Sequence, residues 1–112
     1  MIKPQLYDTI ELLIDLPDHN LHVGDRGAVV YQHPDEVFEI EFATDTGETT
    51  ALCALPASQF IVIWRAETEE WVSVADQIAQ IIANLSDGSR TEVRDFAHFL
   101  TIKERSHTLV SP

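Results

Sequence analysis

The hydrophobic period of the chain changes once, at Trp64. Before it, apolar residues alternate with polar ones in short runs punctuated by Gly, Pro and Asp; after it, they recur every three to four residues. The cleanest alternation is Val37 to Ala43. Phe38, Ile40 and Phe42 face one way there and Glu39 and Glu41 the other, as in a half-buried antiparallel strand. Ala28-Val29-Val30-Tyr31 is a β-branched run typical of strands, and His33-Pro34-Asp35 is a turn signal. Asp45-Thr46-Gly47-Glu48 predicts a hairpin tip, followed by a strand from Thr49 to Leu55 that Pro56 stops. Ile10 to Leu16 reads as a strand with Ile10, Leu12 and Ile14 on one face, or as a helix, because Leu13 and Leu16 blur the alternation. Phe60 to Trp64 is apolar on both faces. One face is expected against a core, and the other needs a cover.

Beyond the seam, Ser73 with Asp76 resembles a capping box for a helix carrying Val74, Ile78, Ile81, Ile82 and Leu85. Ser86-Asp87-Gly88 breaks that helix. Ser89 with Glu92 is an S-x-x-E box expected to open a second one. Its stripe is Val93, Phe96, Ala97 and Leu100, with Phe99 and Ile102 outside it. The pattern predicts an α+β chain: a small SH3-like antiparallel β-barrel over residues 1–65, a linker over 66–72, an αα-hairpin over 73–105 and a flexible tail over 106–112. The helical stripes must dock on the barrel, on a second copy or on another protein.

The net charge of −12 narrows the partners. Residues 1–65 hold three basic and eleven acidic side chains, and residues 66–112 hold four and eight. Phosphate neutralisation needs Lys and Arg, so direct nucleic-acid binding is disfavoured, and anionic lipid would repel the chain. A basic protein is the complementary partner. No apolar run reaches the roughly 18 residues of a membrane span, and the N-terminus lacks the basic and then apolar stretches of a signal peptide. The single Cys53 forms no internal disulfide. A cytoplasmic location is expected.

Candidate chemistry is sparse. His19 and His22, flanked by Asp18 and Asp25, offer metal-ligand types, but without a second cluster they read as a polar loop. Cys53 lies mid-strand among small apolar residues and reads as a buried, inert thiol. Gly24-Asp25-Arg26-Gly27 lacks the ending of a phosphate loop and precedes a strand, so it reads as a turn. Arg26 is expected to pair with Asp25 or Asp8. Glu39 and Glu41 share a strand face and could form a catalytic carboxylate pair, but read as a solvated surface. Neither an enzyme nor a cofactor or metal is expected. Trp71, Phe99 and Ile102 are large apolar groups outside the obvious stripes, either packed on the barrel beside Trp64 or marking an interface.

Two resemblances add to this. Gln5 to Leu12, then Gly24 to Val30, Phe38 to Phe42 and Gly47-Glu48-Thr49, together look like a small bacterial domain of unknown function that is frequent in cyanobacteria. That resemblance implies a fold and no active site. Leu85 to Leu100, with Glu92-Val93-Arg94-Asp95-Phe96, is similar to a short helical family of antitoxin-like proteins, with Ser86 in place of the usual Pro and Arg94 in place of an apolar residue. It implies a partner such as a small basic nuclease. The expected function is thus a non-enzymatic protein-binding module. Phe96, Phe99, Leu100 and Ile102 serve as anchors, Trp71 joins them, and Glu92 and Asp95 steer. The alternative is a structural homo-oligomer, and a homo-oligomeric state is expected under either reading.

Overall fold

The computed structural model describes residues 2–110 of the protein, with side chains through residue 106. Strands β1 (Thr9–Leu12), β2 (Arg26–His33), β3 (Val37–Ala43), β4 (Thr49–Pro56), β5 (Phe60–Arg65) and β6 (Glu70–Trp71) form one antiparallel sheet in the order β4-β3-β2-β1-β5-β6. The first strand therefore lies inside the sheet, between β2 and β5, an SH3-like arrangement. The sheet is not closed: β4 and β6 are its edges. Helices α1 (Val74–Ala83) and α2 (Asp87–Val110) complete an α+β chain.

The alternation of β3 decides the core. Phe38, Ile40 and Phe42 are buried and stand opposite Leu55, Cys53 and Ala51 of β4, also buried. Val29, Ile10, Leu12, Phe60 and Val62 join the same cluster from β2, β1 and β5, and Phe38 meets Phe60 edge to face at 6.0 Å. Gly27 lets β2 and β3 approach: a Cβ there would lie 2.7 Å from the Ile40 side chain and 2.9 Å from the Glu41 carbonyl oxygen. The expected turn between β2 and β3 places both Asp35 and Glu36 at positive φ (63° and 58°), the backbone hand that matches strand twist in a tight hairpin. The ambiguous Ile10–Leu16 run resolves as a strand that stops at Leu12, before a 3-10 turn at Pro17–His19. Burial of Ile10 and Leu12 with pairing on both edges outweighs the helical reading.

The stretch expected as a linker re-enters the sheet. After a turn with Glu69 at φ 53°, Glu70 and Trp71 pair with Arg65 and Trp64 as β6. Both faces of β5 are buried, as its apolar run requires: Phe60 and Val62 lie in the main core, and Ile61 and Ile63 are buried outside that cluster. β6 covers only the end of β5. At Val62 the α1 side chain Gln80 takes over, accepting the Val62 N–H at Oε1 and donating from Nε2 to the Val62 carbonyl, both at 2.8 Å. One turn earlier, Gln77 donates to the Val72 carbonyl at 3.0 Å. The Gln80 amide thus continues the strand ladder and protects the edge, and Gln77 ties α1 to the segment that leads into it.

Asp8 closes the same region from the other end of the sequence. It is buried, and its two carboxylate oxygens accept the Gln5 and Ala66 backbone N–H groups, each at 2.9 Å. A buried carboxylate without donors would be costly; here both oxygens are engaged. By compactness the chain divides into Met1–Ile81 and Ile82–Pro112, so most of α1 belongs with the sheet. Of the tail expected from Ser106, residues through Val110 continue α2, and Ser111 and Pro112 lie outside the described residues.

Candidate functional site

Helix α2 begins earlier than its sequence predicts. The Ser86 hydroxyl accepts the Ser89 N–H at 3.2 Å and the Ser86 carbonyl accepts the Arg90 N–H at 2.9 Å, so Ser86 is the cap and Ser89 lies in the first turn. Asp87 and Gly88, expected to break the chain, are the first helical residues. An Asp in the first turn suits the positive end of the helix dipole. Arg90 reaches back to donate to the carbonyls of Ile82 (2.9 Å) and Ala83 (2.7 Å) at the end of α1; the Ile82 carbonyl also accepts the Leu85 N–H at 3.1 Å.

The helix has 24 residues, about 36 Å of length. Among its described residues none is buried. Val93, Phe96, Phe99, Leu100 and Ile102 are all exposed, Phe96 by 62% and Phe99 by 54%. The Phe96 and Phe99 rings lie 6.0 Å apart and tilted by 31°, forming a continuous aromatic surface on successive turns. Large apolar side chains clustered along one helix with no cover are the signature of an association surface. The charges around them divide into two kinds. Asp95 pairs with Arg94 at 3.3 Å and Asp87 with Arg90 at 3.9 Å. The Glu92 and Lys103 side chains have no hydrogen bond or ion pair among the described residues.

Trp71, the seventh residue expected to bind a partner, is not on α2. It lies in the first compact unit, on β6, 65% exposed, with the Arg26 guanidinium 5.8 Å from its ring centroid. The expected pairing of Arg26 with Asp25 or Asp8 is replaced by this cation–π contact. Asp25 instead accepts the His22 N–H at 2.8 Å, and Asp8 is taken by backbone donors. The six other residues expected to bind a partner, Glu92, Asp95, Phe96, Phe99, Leu100 and Ile102, share α2. Lys103 was missed. Its signal was positional, four residues beyond Phe99 as Glu92 lies four before Phe96.

Compactness also redistributes the charge. Residues 1–81 carry fifteen carboxylates and three basic side chains, whereas residues 82–112 carry four of each. The whole net charge of −12 therefore belongs to the first unit. The second is balanced: the excess of acid counted over residues 66–112 lies in Glu67, Glu69, Glu70 and Asp76, all of the first unit.

The remaining candidates do not converge. Among the described residues there is no group of three or more His, Cys, Asp or Glu placed to hold a metal. Glu39 and Glu41 have separate partners, His33 at 2.8 Å and Thr49 at 3.0 Å. Cys53 is buried, and desolvation, then the charge of Glu39, pushes its thiol above the ordinary value. The thiolate needed for nucleophilic chemistry is thus disfavoured at neutral pH. Among the described residues no helix is long and apolar enough to cross a membrane.

A protein-family model described as a domain of unknown function (DUF4926) matches residues 6–62, the span from just before β1 to the middle of β5. No curated protein and no solved structure matches the chain.

Proposed function

The chain belongs to the DUF4926 family, and we propose that it acts as a non-enzymatic protein-binding module that engages its partner through α2. One observation carries this reading: Phe96, Phe99, Leu100 and Ile102 are exposed together on a helix that no residue of its own compact unit buries. In proteins most helical stability comes from packing of an apolar face rather than from intrinsic propensity. A partner that covers the face would stabilise the helix as well as bind to it. The buried free thiol of Cys53 suits a reducing compartment, and the proposal places the module in the cytoplasm.

A narrower, antitoxin-like reading draws on the resemblance of Leu85–Leu100 and on the acidic field of residues 1–81, which favours a basic partner such as a small nuclease. In that case the sheet unit supplies the attraction, and α2 supplies the anchor. The test compares the full-length chain with a Phe96→Ser/Phe99→Ser variant in chemical cross-linking within its native host. The wild type should cross-link to a protein, itself or another, and the variant should lose that product while its sheet circular dichroism is unchanged. Identical cross-linking by both chains refutes the proposal.

A further inference from the structure

The α2 surface is self-complementary about a single point. Ser89, Glu92, Phe96, Phe99, Lys103 and Ser106 follow one another at spacings of 3, 4, 3, 4 and 3 residues, the alternation of a coiled-coil seam. At 100° per residue, Glu92, Phe96, Phe99 and Lys103 fall within an arc of about 60°. The series is also a palindrome in position. Its midpoint lies between Ala97 and His98, with Phe96 and Phe99 equidistant from it, then Glu92 and Lys103, then the two serines.

We infer that the occupant of this face is a second copy of the chain, with the two α2 helices packed antiparallel about a two-fold axis through that midpoint. The inference rests on the reading of α2 as the association surface and names its partner. Antiparallel pairing sets Phe96 against the partner's Phe99, Glu92 against the partner's Lys103, and serine against serine. Both Glu–Lys pairs then form at the two ends of an aromatic centre, and an isologous interface closes on itself.

Parallel pairing would instead place Glu92 against Glu92 and Lys103 against Lys103, which repel. Charge complementarity therefore selects the orientation as well as the partner. Among the described residues the Glu92 and Lys103 side chains have no ion pair, whereas Asp87 and Asp95 lie beside Arg90 and Arg94. Residues 82–112 carry four acidic and four basic side chains, so this unit adds no net repulsion of its own to self-association.

The test uses the full chain in sedimentation equilibrium, with circular dichroism to confirm that each variant is folded. The wild type should dimerise. Glu92→Lys and Lys103→Glu should each weaken the dimer by at least about tenfold, because each places two like-charged pairs in the seam. Mixing the two variants in equal amounts should restore dimers, since both interfacial pairs are then opposite in sign. The double variant E92K/K103E should dimerise like the wild type. A wild type that stays monomeric at high concentration overturns the self-pairing; a foreign protein captured through Phe96 and Phe99 would then leave the α2 surface itself standing. A dimer that survives both single reversals but is lost in Phe96→Ser overturns only the antiparallel register. One that survives every α2 substitution overturns the assignment of the surface as well.

Discussion

Replacing Gln80 with Leu should loosen α1 from the sheet at a cost that can be worked from two hydrogen bonds. The Gln80 amide satisfies both the N–H and the carbonyl of Val62 at 2.8 Å, on a residue that is completely buried. A neutral hydrogen bond contributes about 1 kcal/mol net, and stranding a buried polar group costs about 1–3 kcal/mol. Leucine keeps the size of the side chain but supplies neither partner, so a loss of about 2–4 kcal/mol is expected, tempered if water reaches the edge. That is a large share of the roughly 5–15 kcal/mol that holds a domain of this size together. Urea denaturation followed by circular dichroism reads the total, and hydrogen exchange of the Val62 amide reads the site. Gln80→Glu gives an internal control. Its carboxylate accepts the Val62 N–H but repels the carbonyl; once protonated it can serve both, so its deficit should shrink as pH falls towards 4, near the carboxyl range. A Gln80→Leu chain within about 0.5 kcal/mol of wild type, a change typical of an unremarkable surface position, with Val62 exchange unaltered, would refute the docking of α1 by this amide.

Gly27→Ala should cost about 1–3 kcal/mol in the same urea titration, because the new methyl group meets both the Ile40 side chain and the backbone oxygen of Glu41. Cys53 makes stability depend on alkaline pH. Its folded-state value is raised above the ordinary 9.0 by burial and then by Glu39, so its contribution is complete below that value and declines as pH rises through the folded one. Cys53→Ala should flatten that decline in melts taken between neutral and strongly alkaline pH. Ser86→Ala should remove the α2 cap and reduce helical circular dichroism, at a cost of about 1 kcal/mol, while Ser89→Ala should have the smaller effect.

Strand β3 was legible because one period served two demands at once: Phe38, Ile40 and Phe42 fill the core, and Glu39 and Glu41 stay in solvent reach. β6 was not. Two residues in an acidic stretch have no period, and their pairing with Trp64 and Arg65 is decided by the turn at Glu69. The same limit hid the role of α1. A helix read by its apolar stripe draws attention to Ile78 and Ile81, yet the hydrogen bonds that tie it to Val62 and Val72 come from amides, Gln80 and Gln77, which look solvent-facing in a hydropathy pattern. The α2 cap was misplaced by three residues because Glu92 completes a capping box with Ser89, although Ser86 has the hydroxyl that meets the first free N–H groups. Of the candidate surface, the exposed aromatic pair was legible from spacing. The segregation of all net charge into residues 1–81 was not, since the change of period at Trp64 precedes the compact boundary.

The burial of Asp8 imposes an order in time on folding. Its carboxylate needs the backbone of Ala66, 58 residues later, and β1 needs β5 as well as β2. The β2–β3–β4 meander is built from neighbours in sequence and can form as soon as it is made. β1 emerges first from the ribosome yet can be completed only after residues 60–66 have followed it. Long-range closures are slow because the chain entropy must be lost before the contact is gained. The docking of β5 beside β1, sealed when Ala66 reaches Asp8, is therefore the expected last and rate-setting step, and until then the edge of β1 is open to any other extended chain nearby.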